Sequence, residues 1–161
     1  MNITITGPRS VGKSTISKLL SKKIKYNYIS SDALMNAAMK KFGGLDKAIK
    51  IGKTELMSKG PAIVEKALSK DKIIFDLAGG AISSKQGFEI GVCQKVIKTI
   101  TDKSIIIGLL PFANDAMSIN LLYLREQKRK HFSDMDSKKL SEKTREDYLK
   151  LNPILKSAQV F

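Results

Sequence analysis

The 161-residue chain is poor in the residues that build disulfides and transition-metal sites, with one cysteine, Cys93, and one histidine, His131. A lone cysteine excludes an internal disulfide, is typical of a reducing compartment and fits a small apolar position on a helix. A single histidine excludes a histidine-based metal cluster. No apolar run approaches the length of a membrane-spanning helix, and the first predicted strand begins too early for a signal peptide. We therefore expect a cytoplasmic protein with no membrane partner.

Acidic residues are also scarce, 15 against 29 lysines and arginines, which gives a net charge of +14. Only four of the basic residues are arginines, and the lysines are spread along the chain in ones and twos, which is typical of a solvated surface. Nucleic acid is therefore a less favoured partner than a small anionic ligand, which a positive field would also attract. The length predicts one domain, residues 1–161, that is a monomer or a weak dimer.

Residues 7–15, Gly-Pro-Arg-Ser-Val-Gly-Lys-Ser-Thr, fit the pattern G-x-x-x-x-G-K-[ST]. Residues 2–6 alternate polar with β-branched side chains and predict a strand, and residues 14–21 carry apolar positions at helical spacing. A glycine loop between a strand and a helix is the context that supports a phosphate-binding loop. The predicted nucleotide-binding residues of this loop are Gly7, Arg9, Ser10, Val11, Gly12, Lys13, Ser14 and Thr15.

The chemistry of the loop follows from its backbone. Gly7 and Gly12 permit angles that let successive amides point into one concavity, at a helix amino terminus that favours an anion. Lys13 would reach the β- and γ-phosphates, and the Ser14 hydroxyl would bind a magnesium ion. The loop therefore predicts binding of a nucleoside triphosphate together with Mg²⁺.

Two aspartates follow predicted strands. Residues 25–30 predict a second strand, and Asp32 behind it is either a helix N-cap or a carboxylate in the crevice where ligands of open α/β sheets bind. Residues 72–77 predict a buried strand, whose Asp76 is either a strand-end cap or a Walker-B-like support for the magnesium shell. The residues after that strand, Gly79 and Gly80, would let a substrate approach the backbone closely.

The remaining segments continue the alternation of strands and helices, which predicts an α/β domain with a parallel sheet of four to five strands flanked by helices. The segments are a short helical turn over 45–51, a helix over 52–69 interrupted near Gly60-Pro61, a helix over 83–100, a strand over 104–110, a helix from Asn114-Asp115, a helix over 138–151 ended by Asn152-Pro153, and a fifth strand beginning at Gln159-Val160.

Two segments predict moving parts. Residues 32–62 include the least regular stretch of the chain and predict a substrate-binding flap. Residues 125–137 begin in the densest basic segment, where Arg125 and Arg129 predict a lid whose arginines clamp the transferring phosphoryl group. The alternative for this segment is a solvated helix end, which basic residues favour through the helix dipole.

The phosphate-binding loop, Asp32, the glycines after the third strand and the arginine-rich segment resemble the shikimate kinases over nearly the whole chain. In that family an aspartate after the second strand holds the acceptor hydroxyls, and Asp32 matches it. A second family aspartate falls on Ser30, and the three-glycine strand end is one glycine short here. Residues 129–132 resemble the family's lid motif, with the arginine kept as Arg129.

The acceptor side departs further from the family. Residues 151–158 resemble a late family motif whose carboxylate-binding arginine falls on Leu151, and the middle stretch has no arginine. Lys59 lies in that stretch as a candidate substrate-binding residue, but it lacks the planar fork that grips a carboxylate. The resemblance therefore supports the phosphate machinery more than the identity of the acceptor.

The resemblance implies a three-layer α/β/α P-loop kinase fold with a lid, and an ATP-dependent kinase acting on shikimate or a related hydroxylated metabolite. Three alternatives are a nucleotide kinase, a nucleic-acid 5′-hydroxyl kinase and a non-catalytic nucleotide-binding protein. In this interpretation Lys13 and Arg129, with Arg9 and Arg125, would stabilise the charge of the transition state. Asp32 would orient the acceptor hydroxyl. Ser14 and Asp76 would support Mg²⁺.

Overall fold

Four strands form the sheet of the computed structural model: β1 (Asn2–Thr6), β2 (Asn27–Ser30), β3 (Ile73–Asp76) and β4 (Ser104–Gly108). The structure describes residues 1–44, 47, 58–83, 87–129 and 135–157. The strand order is β2-β3-β1-β4, and every neighbouring pair is parallel, so β1 lies inside the sheet. The predicted parallel sheet is confirmed, with four strands in these residues.

Helices connect the strands, as parallel pairing requires. Six α-helices lie in the described residues: α1 (Lys13–Ile24), α2 (Ser31–Ala38), α3 (Gly60–Ala67), α4 (Gly87–Lys103), α5 (Asp115–Gln127) and α6 (Ser137–Ser157). Two short 3₁₀ helices cover Lys40–Phe42 and Gly79–Ala81. No helix in this part of the chain combines the length and the apolar character that crossing a membrane demands.

The two faces of the sheet have different partners, because successive side chains of a strand point to opposite faces. On one face Asp76 contacts Ser14 at the start of α1. On the other face Ile73 and Phe75 enter the main hydrophobic core with side chains of α3, α4 and α6. Helices therefore cover both faces, and the predicted three-layer architecture is confirmed. The helical residues of this core are Val64, Ala67, Val96, Ile100, Leu151 and Leu155.

The predicted helix break at Asn152-Pro153 is wrong, because α6 continues through Pro153 to Ser157. A proline inside a helix removes one backbone hydrogen bond and costs about 3 kcal/mol. Leu151 and Leu155, on either side of it, are 2% and 1% exposed and belong to the main core. Burial of a leucine contributes about 1.5–3 kcal/mol, so the two side chains together offset the cost of the proline.

Two predicted helices are described only in part. The helix predicted over 52–69 is described from Gly60 to Ala67, with Pro61 in its first turn, where the missing amide needs no partner. The helix predicted from residue 83 is described from Gly87 to Lys103, and positions 84–86 lie outside the described residues. Parts of the predicted flap and lid, and the predicted fifth strand, lie outside the described residues, at positions 45, 46, 48–57, 130–134 and 159–160.

Backbone segments meet very closely where the sheet ends beneath the glycine loop. A Cβ atom on Gly79 would lie 2.6 Å from the carbonyl oxygen of Gly7. A Cβ atom on Gly7 would lie 2.5 Å from the carbonyl oxygen of Leu109. Real Cβ atoms do not approach backbone oxygens this closely, so glycine at both positions lets the loop rest directly on the segments that follow β3 and β4.

Adding a methyl group at Gly79 tests this close approach. Gly79→Ala should lower the free energy of unfolding by about 1–3 kcal/mol, because the added carbon overpacks rigid backbone. Gly80→Ala is the matched control, since a Cβ there meets no atom within 4 Å, and its change should stay within about 0.5 kcal/mol. Urea denaturation measures both values. Equal stabilities of the two variants would contradict the packing of the loop on β3.

Candidate active site

The glycine loop leaves β1 at Thr6 and ends where α1 begins at Lys13. Gly12 occupies the N-cap position with φ 107°, a left-handed angle that glycine adopts without strain, and no side chain caps the helix. The first amides of α1 therefore remain directed at the loop, as an anion-binding helix terminus requires. Ser10 is also left-handed, with φ 62°.

Lys13 folds its side chain back over the start of the loop. Its Nζ atom donates to the carbonyl oxygens of Gly7 at 3.0 Å and Pro8 at 2.9 Å. Burial lowers the pKa of the Lys13 ammonium group. The charges of Asp76 and Asp32 oppose this pKa shift, which shows that both carboxylates lie within electrostatic range of the ammonium.

Two arginines affect the pKa of Lys13 in the direction opposite to the two aspartates. The positive charges of Arg9 and Arg129 add to the lowering of the Lys13 pKa. Arg9 is exposed on the loop, and Arg129 follows the end of α5. The structure therefore brings together Lys13, both predicted aspartates and two of the predicted phosphate-binding arginines.

Asp76 receives hydrogen bonds from two elements. The Ser14 hydroxyl, in the first turn of α1, donates to Oδ2 of Asp76 at 2.6 Å. The Tyr28 hydroxyl, on β2, donates to the same oxygen at 2.9 Å. The predicted Ser14–Asp76 pair thus lies in contact, with an additional tyrosine that the sequence analysis missed. Ser30 pairs with Asp76 in the sheet register, so Tyr28, two residues earlier, lies on the same face and an assigned register would have indicated it.

Asp32 lies on the first turn of α2 and is exposed. It is not the N-cap residue, which is Ser30, whose side chain accepts from the amide of Ala33 at 3.3 Å. The Ser31 hydroxyl accepts from the amide of Ala78 at 2.9 Å and ties the start of α2 to the segment after β3. The β2 strand begins at Asn27, two residues later than predicted.

Lys59 is not joined to this group. It is half-buried and directly precedes α3. Among the described residues, no hydrogen bond or ion pair connects its side chain with Asp32 or with the loop. Gly79, by contrast, lies directly against Gly7, whereas Gly80 is exposed beside it.

The end of α5 is attached to the glycine loop by a second group of polar contacts. Arg125 Nη1 donates to the carbonyl oxygens of Ser10 at 3.1 Å and Val11 at 3.4 Å. Glu126 accepts from the Ser10 hydroxyl and from Arg129 Nη1, the latter at 3.4 Å. The predicted arginines are thus both close to the loop. Glu126 was missed by the sequence analysis, although its spacing of three from Arg129 allows a helical ion pair.

The donor set at the base of the loop fits magnesium. In proteins Mg²⁺ is usually held by one or two carboxylates, a hydroxyl, water and the substrate phosphates. Ser14 and Asp76 supply one hydroxyl and one carboxylate in contact. Within the described residues no group of three His, Cys, Asp or Glu side chains could hold a metal ion.

Removing the Tyr28 hydroxyl tests its support of Asp76. Burial and the hydrogen bond to Asp76 raise the pKa of Tyr28, so the bond stabilises fully below about pH 10 and is lost as the pH rises through the folded-state pKa. Tyr28→Phe should lower the free energy of unfolding by about 1 kcal/mol at pH 7, and the deficit should shrink above pH 10.

Chemical denaturation at pH 7 and between pH 9 and 11 measures this deficit. Tyr123→Phe is the control, since that hydroxyl accepts from Gln127 on the exposed surface of α5, at 2.7 Å. Its effect should stay within about 0.5 kcal/mol. A Tyr28→Phe deficit that stays constant over the whole pH range would contradict the raised pKa.

Comparisons with known proteins agree with this geometry. A family model described as shikimate kinase matches residues 9–101, more than half of the chain. The fold is similar to a shikimate kinase from Acinetobacter baumannii in complex with shikimate, with 17% identity, a TM-score of 0.75 and coverage of 98% of this chain and 79% of that chain. A deoxyadenosine kinase from M. mycoides with bound dATP is 20% identical, with a TM-score of 0.56 and coverage of 100% and 89%.

A curated relative shares a shorter stretch. The cytidylate kinase of Mycoplasmopsis synoviae (strain 53) is 53% identical over 34 residues, which are 21% of this chain and 16% of that protein. The structural similarities show the fold, and the family model covers the loop from Arg9 onward, both predicted aspartates and the glycines after β3. By its sequence match and its three-layer P-loop fold, the chain belongs to the shikimate kinase family of kinases.

Proposed function

We propose that this kinase transfers the γ-phosphoryl group of ATP to a hydroxyl of a small hydroxylated metabolite, shikimate or a compound related to it. The observation that carries the proposal is the contact between Ser14 and Asp76 at 2.6 Å, beside the buried ammonium of Lys13. A hydroxyl, a carboxylate and an ammonium at the end of a glycine loop are the groups that a magnesium triphosphate needs. We also propose a cytoplasmic location, which the low cysteine content of the chain favours.

Ser14 and Asp76 would hold the magnesium ion. When bound, the ion supplies positive charge that neutralises the β- and γ-phosphates. Asp76 is 5% exposed, and its bond from Tyr28 fixes the carboxylate before any ligand arrives. This arrangement limits the reorganisation that binding requires.

Lys13 and Arg129 would stabilise the charge on the transferring group. Phosphoryl transfer depends on positioning and electrostatics more than on covalent chemistry. The Lys13 ammonium is partly buried against the carbonyl oxygens of Gly7 and Pro8, so water is partly excluded around it and its attraction to a phosphate is correspondingly strong. Arg9 and Arg125 lie on or against the loop and would add to the same positive field.

Asp32 would orient the acceptor. It is exposed at the start of α2, and its charge opposes the lowering of the Lys13 pKa, which supports a place for Asp32 near the loop. A carboxylate there can accept a hydrogen bond from the attacking hydroxyl and take its proton. Gly79 and Gly80 expose backbone along the same edge, and residues 32–62 and 125–137 are the flap and lid in this proposal.

A nucleotide acceptor is the second candidate. Leu151, where the family's carboxylate-binding arginine falls, is 2% exposed and packs beside Gly79. This position therefore offers an acceptor no cationic side chain. The relatives described as cytidylate kinase and deoxyadenosine kinase add support for an acceptor recognised without that arginine.

A coupled assay of ADP release with different acceptors tests the proposed function. Shikimate, nucleoside monophosphates and oligonucleotides with a free 5′-hydroxyl are compared at fixed ATP and Mg²⁺. We expect turnover with a small hydroxylated acid, and Asp32→Asn should reduce kcat by about a hundredfold or more, since general-base catalysis contributes that much. Asp102→Asn, an exposed aspartate near the end of α4 and outside the proposed flap and lid, is the matched control.

Other results of this assay would support one of the alternative functions. Turnover confined to nucleoside monophosphates would replace the proposal with a nucleotide kinase. Turnover confined to oligonucleotides, falling steeply with salt, would indicate a nucleic-acid kinase that uses the +14 charge. ATP binding without turnover on any acceptor would indicate a non-catalytic nucleotide-binding protein.

A further inference from the structure

Glu126 is a buried carboxylate that the proposed chemistry does not use. It lies on the last turn of α5 and is 3% exposed. One of its oxygens, Oε1, accepts both from the Ser10 hydroxyl and from Arg129 Nη1. Burying a carboxylate is costly unless it is paired and hydrogen-bonded, so these two donors define what the residue does. One donor belongs to the phosphate-binding loop and the other to the predicted lid.

The neighbouring Arg125 attaches the same helix end to the loop backbone. Its Nη1 atom donates to the carbonyl oxygens of Ser10 and Val11. Ser10 is left-handed, with φ 62°, an angle that a side-chain-bearing residue rarely adopts. The bond from the Ser10 hydroxyl to Glu126 and the bonds from Arg125 hold that unfavourable angle. The shape of the loop between its two glycines therefore depends on α5.

The bond between Glu126 and Arg129 is long and leaves the arginine side chain partly exposed. Its length of 3.4 Å is beyond the usual 2.7–3.2 Å of such hydrogen bonds. The Arg129 side chain is 47% exposed, so its guanidinium can also reach a ligand. Arg129 shares Glu126 Oε1 with the Ser10 hydroxyl of the loop, and its charge contributes to the lowered pKa of Lys13.

The charges around Glu126 also explain why a carboxylate belongs there. Arg9 on the loop and Lys143 on α6 line a cavity of about 20 Å³ together with Glu126. Arg129 and Arg125 approach from α5. Asp147 lines the same cavity and pairs with Lys143 at 3.2 Å. Glu126 supplies the negative charge next to Arg125 and Arg129 and reduces their mutual repulsion.

We propose that Glu126 is a positioning residue that couples the phosphate-binding loop to the lid arginine: it holds Ser10 and aims Arg129 at the phosphates. The proposal rests on the kinase function proposed above. A bound triphosphate would attract the guanidinium of Arg129 more strongly than Glu126 does, because phosphate bonds to arginine are short and bidentate. Glu126 would keep its bond to Ser10 throughout and so maintain the loop.

The kinetic test is a double-mutant cycle between Glu126 and Arg129. Glu126→Gln keeps the size of the side chain but removes its charge, and it should lower kcat by about tenfold with a smaller change in KM for ATP. Arg129→Ala should lower kcat on the order of a thousandfold, as loss of a clamp arginine does. Adding Glu126→Gln to Arg129→Ala should lower kcat by clearly less than tenfold, because only the loss that acts through Ser10 remains. Glu142→Gln, an exposed glutamate on α6, is the matched control.

Two kinetic results would overturn the proposal. The first is a kcat for Glu126→Gln equal to that of the Glu142→Gln control. The second is full additivity with Arg129→Ala, which would mean that Glu126 acts without the arginine.

Hydrogen–deuterium exchange of the loop amides at residues 10–12 tests the coupling without turnover, and so applies even if no acceptor is phosphorylated. Glu126→Gln and Ser10→Ala should both speed exchange there several-fold, whereas Glu142→Gln should not. Ser10→Ala leaves the buried position of Glu126 untouched, so it stays informative if substitutions at Glu126 fail to fold. Unchanged exchange in both variants would overturn the coupling, whereas faster exchange without turnover would overturn only the kinase proposal.

Discussion

The bond between the Asp76 carboxylate and the Ser14 hydroxyl joins the sheet to the helix that carries the phosphate-binding loop. Asp76 can occupy its position only because β3 ends beside β1, and Ser14 can reach it only because the loop reverses the chain within six residues. Contact of Gly79 with the backbone of Gly7 sets the height of the loop above the strand ends. The fold therefore brings one carboxylate and one hydroxyl together at the carboxyl edge of a parallel sheet, where ligands of such sheets bind.

Charge balance is the second constraint on this edge. The loop concentrates positive charge, and burial lowers the pKa of Lys13 in the folded protein. Asp76 and Asp32 oppose that shift from the two neighbouring strand ends, and Glu126 places a third carboxylate against Arg129. A triphosphate would add the remaining negative charge. The positive field that attracts the ligand is thus kept compatible with a folded loop by carboxylates on three separate elements.

Local pattern was sufficient for the loop and for the strands, because a glycine motif and a run of apolar residues are written in consecutive positions. Local pattern could not predict the contacts between segments that are distant in the sequence. Tyr28 reaches Asp76 across a sheet register, and Glu126 reaches Ser10 across 116 positions. The break predicted at Pro153 failed for the same reason, since core packing of leucines on both sides outweighs a local preference. Secondary-structure propensity depends on the residues of one segment, whereas the site is formed by contacts between several segments.

Titration calorimetry of ATP in the presence of Mg²⁺, comparing the wild type with Lys13→Met, tests the central claim most directly. The account predicts saturable binding to the wild type and an affinity at least about tenfold lower in the variant, since a hydrogen bond to a charged group contributes about 1.5–3 kcal/mol. Lys22→Met, an exposed lysine on the same helix, should bind as the wild type does. Equal affinities of the wild type and Lys13→Met, or no binding to the wild type, would contradict the assignment of residues 7–15 as the triphosphate site.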